Sequence, residues 1–230
     1  MIFWILLFIL VVVISFSLAL LSMRSFSEIP QASEKDYGLF LIRKTINVTV
    51  NFLDELNNQI LKEGLIVSFE RLFKGSESTL LVFAPRKVIQ NYSKLDLLEI
   101  EDYTQSDEPN FSGFEMGTKN PSSPKNFQQF FQGFPKLEAQ EDLWWQLILR
   151  AKRAGIFEVL PRVIIKSASS ERRAEVEKKL HHLALGFLNK VPKPYTKSQI
   201  FEFYKQRELG KSIHNPSLAS EEIIKLILLK

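Results

Sequence analysis

The sequence opens with a continuous apolar segment, residues 2–22 (IFWILLFILVVVISFSLALLS). It holds no charged side chain, and its only hydroxyl side chains are Ser15, Ser17 and Ser22. About 20 apolar residues rising 1.5 Å each cover the ~30 Å hydrocarbon core of a bilayer. Because the segment is apolar all round, it does not match a helix that buries only one stripe in a soluble domain. The sequence therefore predicts a transmembrane helix over residues 1–23.

A cleaved secretory signal is the alternative interpretation of this segment. No Lys or Arg precedes the apolar run, which is also longer than the usual ~7–15-residue core of a signal peptide. No A-x-A cleavage site follows, and Ser17-Leu18-Ala19 is the nearest approach to one. These features favour an anchor that stays attached to the chain.

The basic residues around the segment predict its orientation. Arg24, Lys35, Arg43 and Lys44 follow the span, whereas no Lys or Arg precedes it. Since Lys and Arg accumulate on the cytoplasmic flank of a membrane helix, we expect a single-pass protein of the cell membrane with its C-terminal part in the cytoplasm. The absence of cysteine excludes a disulfide framework and agrees with that compartment.

Residues 24–36 are polar, contain Pro30 and read as a linker. Beyond the linker, apolar residues recur with strand and helix periods up to residue 104. The predicted elements are, in order, a strand over 39–45, a helix over 48–62 ended by Gly64, strands over 65–73 and 78–84, a helix over 85–94 with Pro85 at its first position, and a strand over 97–103. This β-α-β-β-α-β order predicts a ferredoxin-like α+β domain over residues 37–104.

The remaining chain repeats parts of this pattern after a connection rich in proline and glycine over residues 104–126. It can be read as a second α+β unit over residues 111–190, followed by C-terminal helices within 195–230. The predicted elements are a strand over 111–116, an aromatic helix over 126–134, strands over 143–149 and 161–166, a helix over 170–186 capped by Ser169 or Ser170, a helix over 196–209 capped by Thr196, and a helix over 217–229.

Positive charge is concentrated in the C-terminal third. Residues 150–230 hold 17 Lys/Arg and 8 Asp/Glu, a net charge of +9, whereas residues 1–149 hold 13 and 18, a net charge of −5. Such a region can contact anionic lipid or nucleic acid, and a solvated helical surface is the simpler alternative. The candidate contacts are four basic residues of the helix over 170–186: Arg172, Arg173, Lys178 and Lys179.

The last predicted helix is unusually apolar, because residues 223–229 read IIKLILL. Exposing several such side chains would cost more than the stability margin of a small domain. We therefore expect this helix to pack against the body of the chain or against a partner, with Ile224 and Leu228 as candidate interface residues.

Motifs for catalysis are absent from the sequence. It contains neither phosphate-binding glycine motif, no H-E-x-x-H and no G-x-S-x-G. His181 and His182 are adjacent on a helix, so they face different directions and make a poor metal pair. The acidic cluster of Glu99, Glu101 and Asp102 is more simply a solvated sheet edge. The sequence thus predicts a protein that is not an enzyme, with no metal site, no cofactor and no small-molecule ligand.

Three stretches are similar to a known family: LIVSFERLFKGSESTLLVFAPRKVIQNY, then LEIEDYT, then FPKLEAQEDLWWQLILRA. They resemble the membrane-anchored α+β region of bacterial type IV secretion and conjugation coupling-type ATPases, in which a nucleotide-binding motor follows. The LASEEI stretch over residues 218–223 is similar to the point where the family continues into that motor. Since the present sequence contains no P-loop, the resemblance carries over no ATPase residue.

The resemblance implies a non-catalytic subunit or adaptor of a secretion- or DNA-transfer-like assembly that acts through protein–protein contacts. A separate ATPase subunit would then be a candidate partner. The alternative is a membrane-tethered binding module whose basic C-terminal third engages nucleic acid or anionic lipid.

Overall fold

One antiparallel sheet with helices packed on it makes up the described part of the chain in this computed structural model. The structure describes residues 36–105, 110–117, 135–184, 189–190, 195–207, 209 and 215–229. Contacts divide the chain into Met1–Ser33 and Glu34–Lys230, and all described residues belong to the second unit. The predicted transmembrane helix, the linker up to residue 35 and the aromatic helix over 126–134 lie outside the described residues. Of the helices within those ranges, none is long and apolar enough to cross a membrane.

The described elements confirm the predicted α+β class. The helices are α1 (Val50–Glu63), α2 (Arg86–Ile89), α3 (Ser170–Ala184), α4 (Lys197–Gln206) and α5 (Ser220–Leu228). The strands are β1 (Tyr37–Ile42), β2 (Ile66–Lys74), β3 (Glu77–Pro85), β4 (Leu97–Ile100), β5 (Phe111–Gly117), β6 (Asp142–Arg153), β7 (Ile156–Lys166), β8 (Asn189–Lys190) and β9 (Ser217–Ala219).

The strand order of the sheet is symmetrical about its centre. The order is β4-β1-β3-β2-β6-β7-β5-β8, with β9 pairing with β7 outside this path. Starting from one edge, the first four strands lie in the order 4-1-3-2. From the other edge, β8-β5-β7-β6 gives the same order when β5 to β8 are numbered from one to four. The two sets join edge to edge through the antiparallel β2–β6 pairing, in which Ile66 lies opposite Arg150 and Lys74 opposite Asp142.

Helix α1 forms where both its ends and its apolar spacing favour a helix. The Thr49 hydroxyl accepts a hydrogen bond from the amide of Phe52 at 3.2 Å, which satisfies one of the free amides at the helix start. Gly64 ends the helix with φ of 64°, a left-handed conformation that glycine adopts without strain and that confirms the predicted C-cap. The buried side chains at helical spacing are Phe52, Leu53, Leu56 and Ile60.

The main core lies on the face of the sheet that α1, α3 and α5 cover. Alternate side chains of β6 and β7 enter it, including the fully buried Trp145 and Phe157. From the helices, α3 contributes Val176 and Leu180, and α5 contributes Ile223, Leu226 and Ile227. These positions follow the helical periodicity of the sequence, so apolar burial alone accounts for how this face is closed.

Two elements of the first strand set are shorter than predicted. The helix over 85–94 ends at Ile89, because the Asn91 side chain donates to the Lys87 carbonyl at 3.1 Å where a helix would use a backbone amide. Pro85 ends β3 and precedes the helix instead of beginning it. The strand over 97–103 ends at Ile100, since the Asp102 carboxylate turns the chain by accepting from the Thr104 amide and hydroxyl.

Three predictions beyond residue 150 are wrong in extent. The strand predicted over 161–166 begins at Ile156. Pro161 does not interrupt it, because this residue lies between Glu158, where the pairing with β9 ends, and Arg162, where the pairing with β5 starts. A missing N–H there breaks no ladder bond. The helix over 196–209 ends at Gln206, since Arg207 takes a left-handed conformation. The helix over 217–229 begins at Ser220, after the chain has formed β9.

Candidate functional site: a buried ionic network beneath helix α4

A row of four polar side chains crosses the face of the sheet opposite the main core. Glu70 of β2 lies opposite Gln146 of β6, Gln146 lies opposite Arg162 of β7, and Arg162 lies opposite Glu115 of β5. Their exposed fractions are 0% for the first three and 2% for Glu115. Buried polar groups of this kind are costly unless each finds a partner, so the network they form decides whether this face is stable.

The Glu70 carboxylate is the centre of the network. Its Oε1 accepts hydrogen bonds from Arg207 Nε at 2.7 Å, from Gln146 Nε2 at 3.0 Å and from Ser68 Oγ at 3.1 Å. Its Oε2 accepts from Tyr103 Oη at 2.7 Å and from Arg207 Nη2 at 3.3 Å. A carboxylate has about four lone-pair sites, so these five bonds occupy its whole accepting capacity.

Arg207 supplies the cation and sits in an unusual backbone conformation. It follows the last residue of α4 with φ of 52°, a left-handed position that normally favours Gly or Asn. Its Nη1 donates to Asp102 Oδ2 at 2.7 Å and to the Lys205 carbonyl at 3.0 Å. Its guanidinium also lies 4.4 Å from the centre of the Phe83 ring. These contacts explain why an arginine is kept at a strained helix end.

The buried Tyr204 and the half-buried Tyr103 extend the network. The hydroxyls of Tyr103 and Tyr204 are 2.7 Å apart. Because Tyr103 has one hydroxyl proton and Glu70 accepts it, Tyr204 must be the donor in the tyrosine pair. The hydroxyls therefore form a directed chain that ends on the Glu70 carboxylate.

The other end of the row contains a second buried ion pair. Arg162 Nε donates to Glu115 Oε1 at 2.9 Å, and the exposed fractions of the two side chains are 0% and 1%. Gln146 lies between the two ion pairs, with its Nε2 directed at Glu70 and its Oε1 at 3.5 Å from Arg162 Nη1. Since the carboxylate needs a donor and the guanidinium needs an acceptor, these neighbours fix the orientation of the amide.

The network also satisfies the C-terminal end of α4. The last carbonyls of a helix have no partner within it and carry partial negative charge. Here the Phe203 carbonyl accepts from Arg162 at 2.6 Å, the Tyr204 carbonyl from Gln146 at 3.0 Å, and the Lys205 carbonyl from Arg207 at 3.0 Å. The polar row of the sheet is thus a docking site for one particular helix end.

An aromatic cluster borders the network. Tyr103 packs edge-on against Trp144 with ring centres 4.9 Å apart, and Trp144 also contacts Phe201 and Tyr204 of α4. The ammonium group of Lys166 lies 3.8 Å from the centre of the Trp144 ring. The N-terminal end of α4 is capped by Thr196, whose hydroxyl accepts from the Gln199 amide, as predicted.

The charges in the network shift one another's pKa. Burial alone would raise the pKa of Asp102, but hydrogen bonds from Arg207 and Thr104 hold it below its ordinary value. Burial would lower the pKa of Arg207, and Glu70 and Asp102 outweigh that effect and raise it. Burial and the Glu70 charge raise the pKa values of Tyr103 and Tyr204 well above the ordinary value. Asp102 and Arg207 therefore stay charged and the two phenols stay neutral near pH 7.

This arrangement stabilises a fixed geometry. Each ion of the network has an opposite charge beside it: Arg207 pairs with Glu70 and Asp102, and Arg162 pairs with Glu115. Across the described ranges there is no group of three or more His, Cys, Asp or Glu side chains arranged around a metal position. The chemistry that these contacts support is the anchoring of α4 in one position on the sheet.

The four basic candidates lie on α3, away from this network. Arg172 donates to both oxygens of Glu141, at 2.8 and 3.2 Å, and also pairs with Glu175. Arg173 donates to the carbonyl of Ser167, and Lys179 pairs with Glu175 at 2.7 Å. Lys178 is exposed. Hydrogen bonds from Lys179 and Arg172 lower the pKa of Glu175 to about 2. The structure thus directs Arg172, Arg173 and Lys179 to partners within the chain.

The two apolar candidates lie on α5. Ile224 and Leu228 are partly buried against the main core, next to the buried Ile223, Leu226 and Ile227. Arg71 of β2 donates to the Leu228 carbonyl at 2.9 Å, which satisfies the end of the helix. Of the two expected arrangements, the structure shows packing against the body of the chain.

The acidic cluster noted in the sequence is separated in the structure. Glu99 pairs with Arg86 at 2.6 Å on the edge strand, whereas Asp102 lies beyond the end of β4 and pairs with Arg207. Glu101 is exposed. The strand ends too early for Glu99 and Glu101 to share a face of the sheet, so they do not form a carboxylate pair.

Sequence reasoning missed the network, although a signal for it exists. Gln146, Arg162 and Glu115 are each a lone polar residue within an apolar stretch (WWQLI, LPRVI and GFEMG), and Glu70 follows the buried Phe69 in SFERLF, where Ser68 and Arg71 are also polar. In a strand with one solvated face, such a residue is expected to point to water. Four of them in neighbouring strands are unusual, but only the strand order shows that they are neighbours.

A scan against protein-family models finds no match, and a search of the curated proteins finds none either.

Proposed function

We propose that this protein is a single-pass, membrane-anchored and non-catalytic subunit or adaptor of a type IV secretion-like or DNA-transfer assembly. In this proposal residues 1–23 hold the chain in the cell membrane, and the α+β part acts in the cytoplasm through protein–protein contacts. A separate motor ATPase is the partner expected from the family that the sequence resembles.

The observation that carries this proposal is where the motifs of the resemblance lie. The SFERLF stretch contributes Glu70, the EDYT stretch contributes Asp102 and Tyr103, and the LWWQLIL stretch contributes Trp144 and Gln146. These stretches are distant in sequence, yet their polar side chains meet in the network beneath α4. A shared buried network is a physical reason for short motifs to recur together, and this supports a common architecture with that family.

We further propose that the sheet is a pair of ferredoxin-like units joined edge to edge. In a ferredoxin-like unit four antiparallel strands take the order 4-1-3-2, with two helices on one face. Both strand sets of this sheet have that order, and α1 and α3 pack on the same face. The β2–β6 pairing closes one edge of each unit, which protects two strands that would otherwise invite pairing with other chains.

The network supports a scaffolding role. A buried, fully paired set of charges contributes little net stability but penalises any displacement that separates a pair. Moving α4 along the sheet would separate Arg207 from Glu70 and Asp102, and would remove the sheet donors from the Phe203 and Tyr204 carbonyls. A platform of this kind presents partner surfaces in a constant arrangement.

Isolation of the intact complex tests the proposal. The full chain, tagged at its C-terminus, is extracted from membranes in detergent without crosslinking and is purified in parallel at low and at high salt. We expect a P-loop motor ATPase to be retained at high salt, since contacts between packed protein surfaces are screened little. A variant with residues 1–23 replaced by an unrelated membrane helix is the matched control, and it should retain the ATPase.

Two results would contradict the proposal. Recovery of nucleic acid that is lost as salt is raised, with no ATPase retained, would favour the binding-module alternative. Recovery of the chain in the soluble fraction before detergent is added would contradict the proposal that residues 1–23 anchor it in the membrane.

A further inference from the structure

One end of the first strand set carries an exposed apolar side chain on an ordered turn. After β1 ends at Ile42, the chain forms a short 3-10 helix over Thr45–Asn47, and Ile46 within it is 84% exposed. The other large apolar side chains exposed in the described ranges are Leu61 at 38% and Leu98 at 42%. A single exposed apolar residue is common on protein surfaces. Whether Ile46 belongs to a binding surface therefore depends on the residues next to it.

The turn is fixed to a neighbouring loop by three hydrogen bonds. The Arg43 amide donates to the Asp96 carbonyl at 3.3 Å, and the Lys44 amide donates to the Leu95 carbonyl at 3.1 Å. The Asn47 side chain donates to the Lys94 carbonyl at 2.5 Å. Residues 43–47 and 93–96 therefore form one ordered surface, named here the Ile46 surface.

The two segments of the Ile46 surface also carry exposed basic residues. Arg43, Lys44 and Lys94 are exposed, and the half-buried Asp96 is the only acidic residue in the two segments. An apolar side chain among basic residues matches the boundary of an anionic bilayer, where the apolar group enters between headgroups and the cations meet lipid phosphates. Nucleic acid would use the cations but would leave the isoleucine exposed, so the combination favours lipid.

We propose that the Ile46 surface contacts the anionic cytoplasmic leaflet of the membrane. Ile46 enters the headgroup boundary, and Arg43, Lys44 and Lys94 bind lipid phosphates. This inference rests on the proposed function, because the predicted membrane helix holds the surface close to the bilayer. Each basic residue near an anionic leaflet strengthens the association about fivefold.

The length of the chain permits this contact. Residues 24–36 are 13 residues, which span up to about 45 Å when extended. The six residues of β1 that separate this segment from the Ile46 surface span only about 20 Å. The surface can therefore reach the leaflet even if β1 runs away from it.

A single fluorescent label measures the contact in the full chain. The sequence contains no cysteine, so an Ile46→Cys variant takes a thiol-reactive label at one position only, and a side chain that is 84% exposed can be replaced without disturbing the core. The chain is reconstituted into phosphatidylcholine vesicles, either pure or with about 30% phosphatidylglycerol. Quenching is measured with aqueous iodide and with brominated lipid, and flotation of the vesicles reports insertion of the chain.

In the anionic vesicles we expect the label at position 46 to be protected several-fold from iodide and to be quenched by the brominated lipid. A label introduced by Leu61→Cys, near the other end of α1, should stay accessible to iodide. The charge variant Arg43→Gln/Lys44→Gln should weaken association of the surface about 25-fold and expose the label. The matched variant Lys62→Gln/Arg153→Gln removes one Lys and one Arg elsewhere and should leave the label protected.

The outcomes separate this inference from the proposed function. A chain that floats with its vesicles while positions 46 and 61 are equally accessible to iodide overturns the lipid contact alone. Equal protection by pure phosphatidylcholine overturns the assignment to anionic lipid. A chain that does not float overturns the membrane anchor, and the contact that depends on it as well.

Discussion

The two faces of the sheet hold their helices by different means. On one face, α1, α3 and α5 pack through apolar side chains at helical spacing. On the other face, α4 contributes Ile200, Phe201 and Tyr204 to a small apolar cluster, and its C-terminal carbonyls accept hydrogen bonds from Gln146 of β6 and Arg162 of β7. Apolar contacts change gradually when a helix shifts, whereas hydrogen bonds and ion pairs are lost over about 1 Å. We infer that the apolar face supplies most of the stability and the polar face fixes the position of α4.

The largest expected effect comes from leaving one charge of the network without its partner. Arg207→Met should lower the free energy of unfolding by about 3–5 kcal/mol, because the Glu70 carboxylate stays buried without its cation. Urea unfolding of the chain without residues 1–23 measures this, because the described residues all belong to the unit Glu34–Lys230 and bury their own core. Arg86→Met is the control, since the Arg86–Glu99 pair is solvent-exposed and should contribute below about 1 kcal/mol. Equal losses in the two variants would show that the buried ion pairs of the network contribute no more to stability than an exposed ion pair does.

A smaller effect is expected on the apolar face. Ile227→Ala should lower the free energy of unfolding by about 3 kcal/mol, because its buried side chain leaves a cavity beneath α5. Ile224→Ala, on the same helix but only partly buried, should cost about 1 kcal/mol. The same urea experiment applies. If neither substitution lowers the free energy of unfolding, the packing of α5 against the main core does not stabilise the isolated chain.

High pH should act on the polar face through its tyrosines. The pKa values of Tyr103 and Tyr204 are raised in the folded state, so the unfolded phenols lose protons near pH 10 while the folded ones keep them. The unfolded state then binds fewer protons, so their contribution is full below pH 10 and declines above it, by up to about 1.4 kcal/mol per pH unit for each tyrosine. Thermal unfolding of Tyr103→Phe/Tyr204→Phe should show a shallower decline above pH 10. An unchanged slope would contradict these shifts.

The smallest effect should be the same on both faces. Thr49 caps α1 and Thr196 caps α4, each accepting a hydrogen bond from a first-turn amide. Replacing either by Ala should cost about 1 kcal/mol, measured by urea unfolding. Equal losses would show that the starts of the helices do not distinguish the two faces. A much larger loss at Thr196 would show that the start of α4 also contributes to the difference.

The sequence by itself determined the local elements of this protein. Helix α1, its C-cap at Gly64, the β2–β3 hairpin and the Thr196 cap follow from side-chain spacing and backbone preference over a few residues. These features were predictable because their causes lie within one turn of helix or one hairpin. Boundaries were less reliable where a side chain competed for backbone bonds, as Asn91 and Asp102 do.

Only the tertiary structure decided which strands are neighbours, and therefore which polar residues meet. Glu70 and Arg207 are 137 residues apart, and nothing in the local pattern of either indicates the other. In an alternating strand, Glu70 is indistinguishable from a residue that faces water. The edge-to-edge joining of β2 with β6 and the docking of α4 turn that face into an interior, where an unpaired charge is too costly to tolerate. The partner of a buried charge is selected by this long-range pairing.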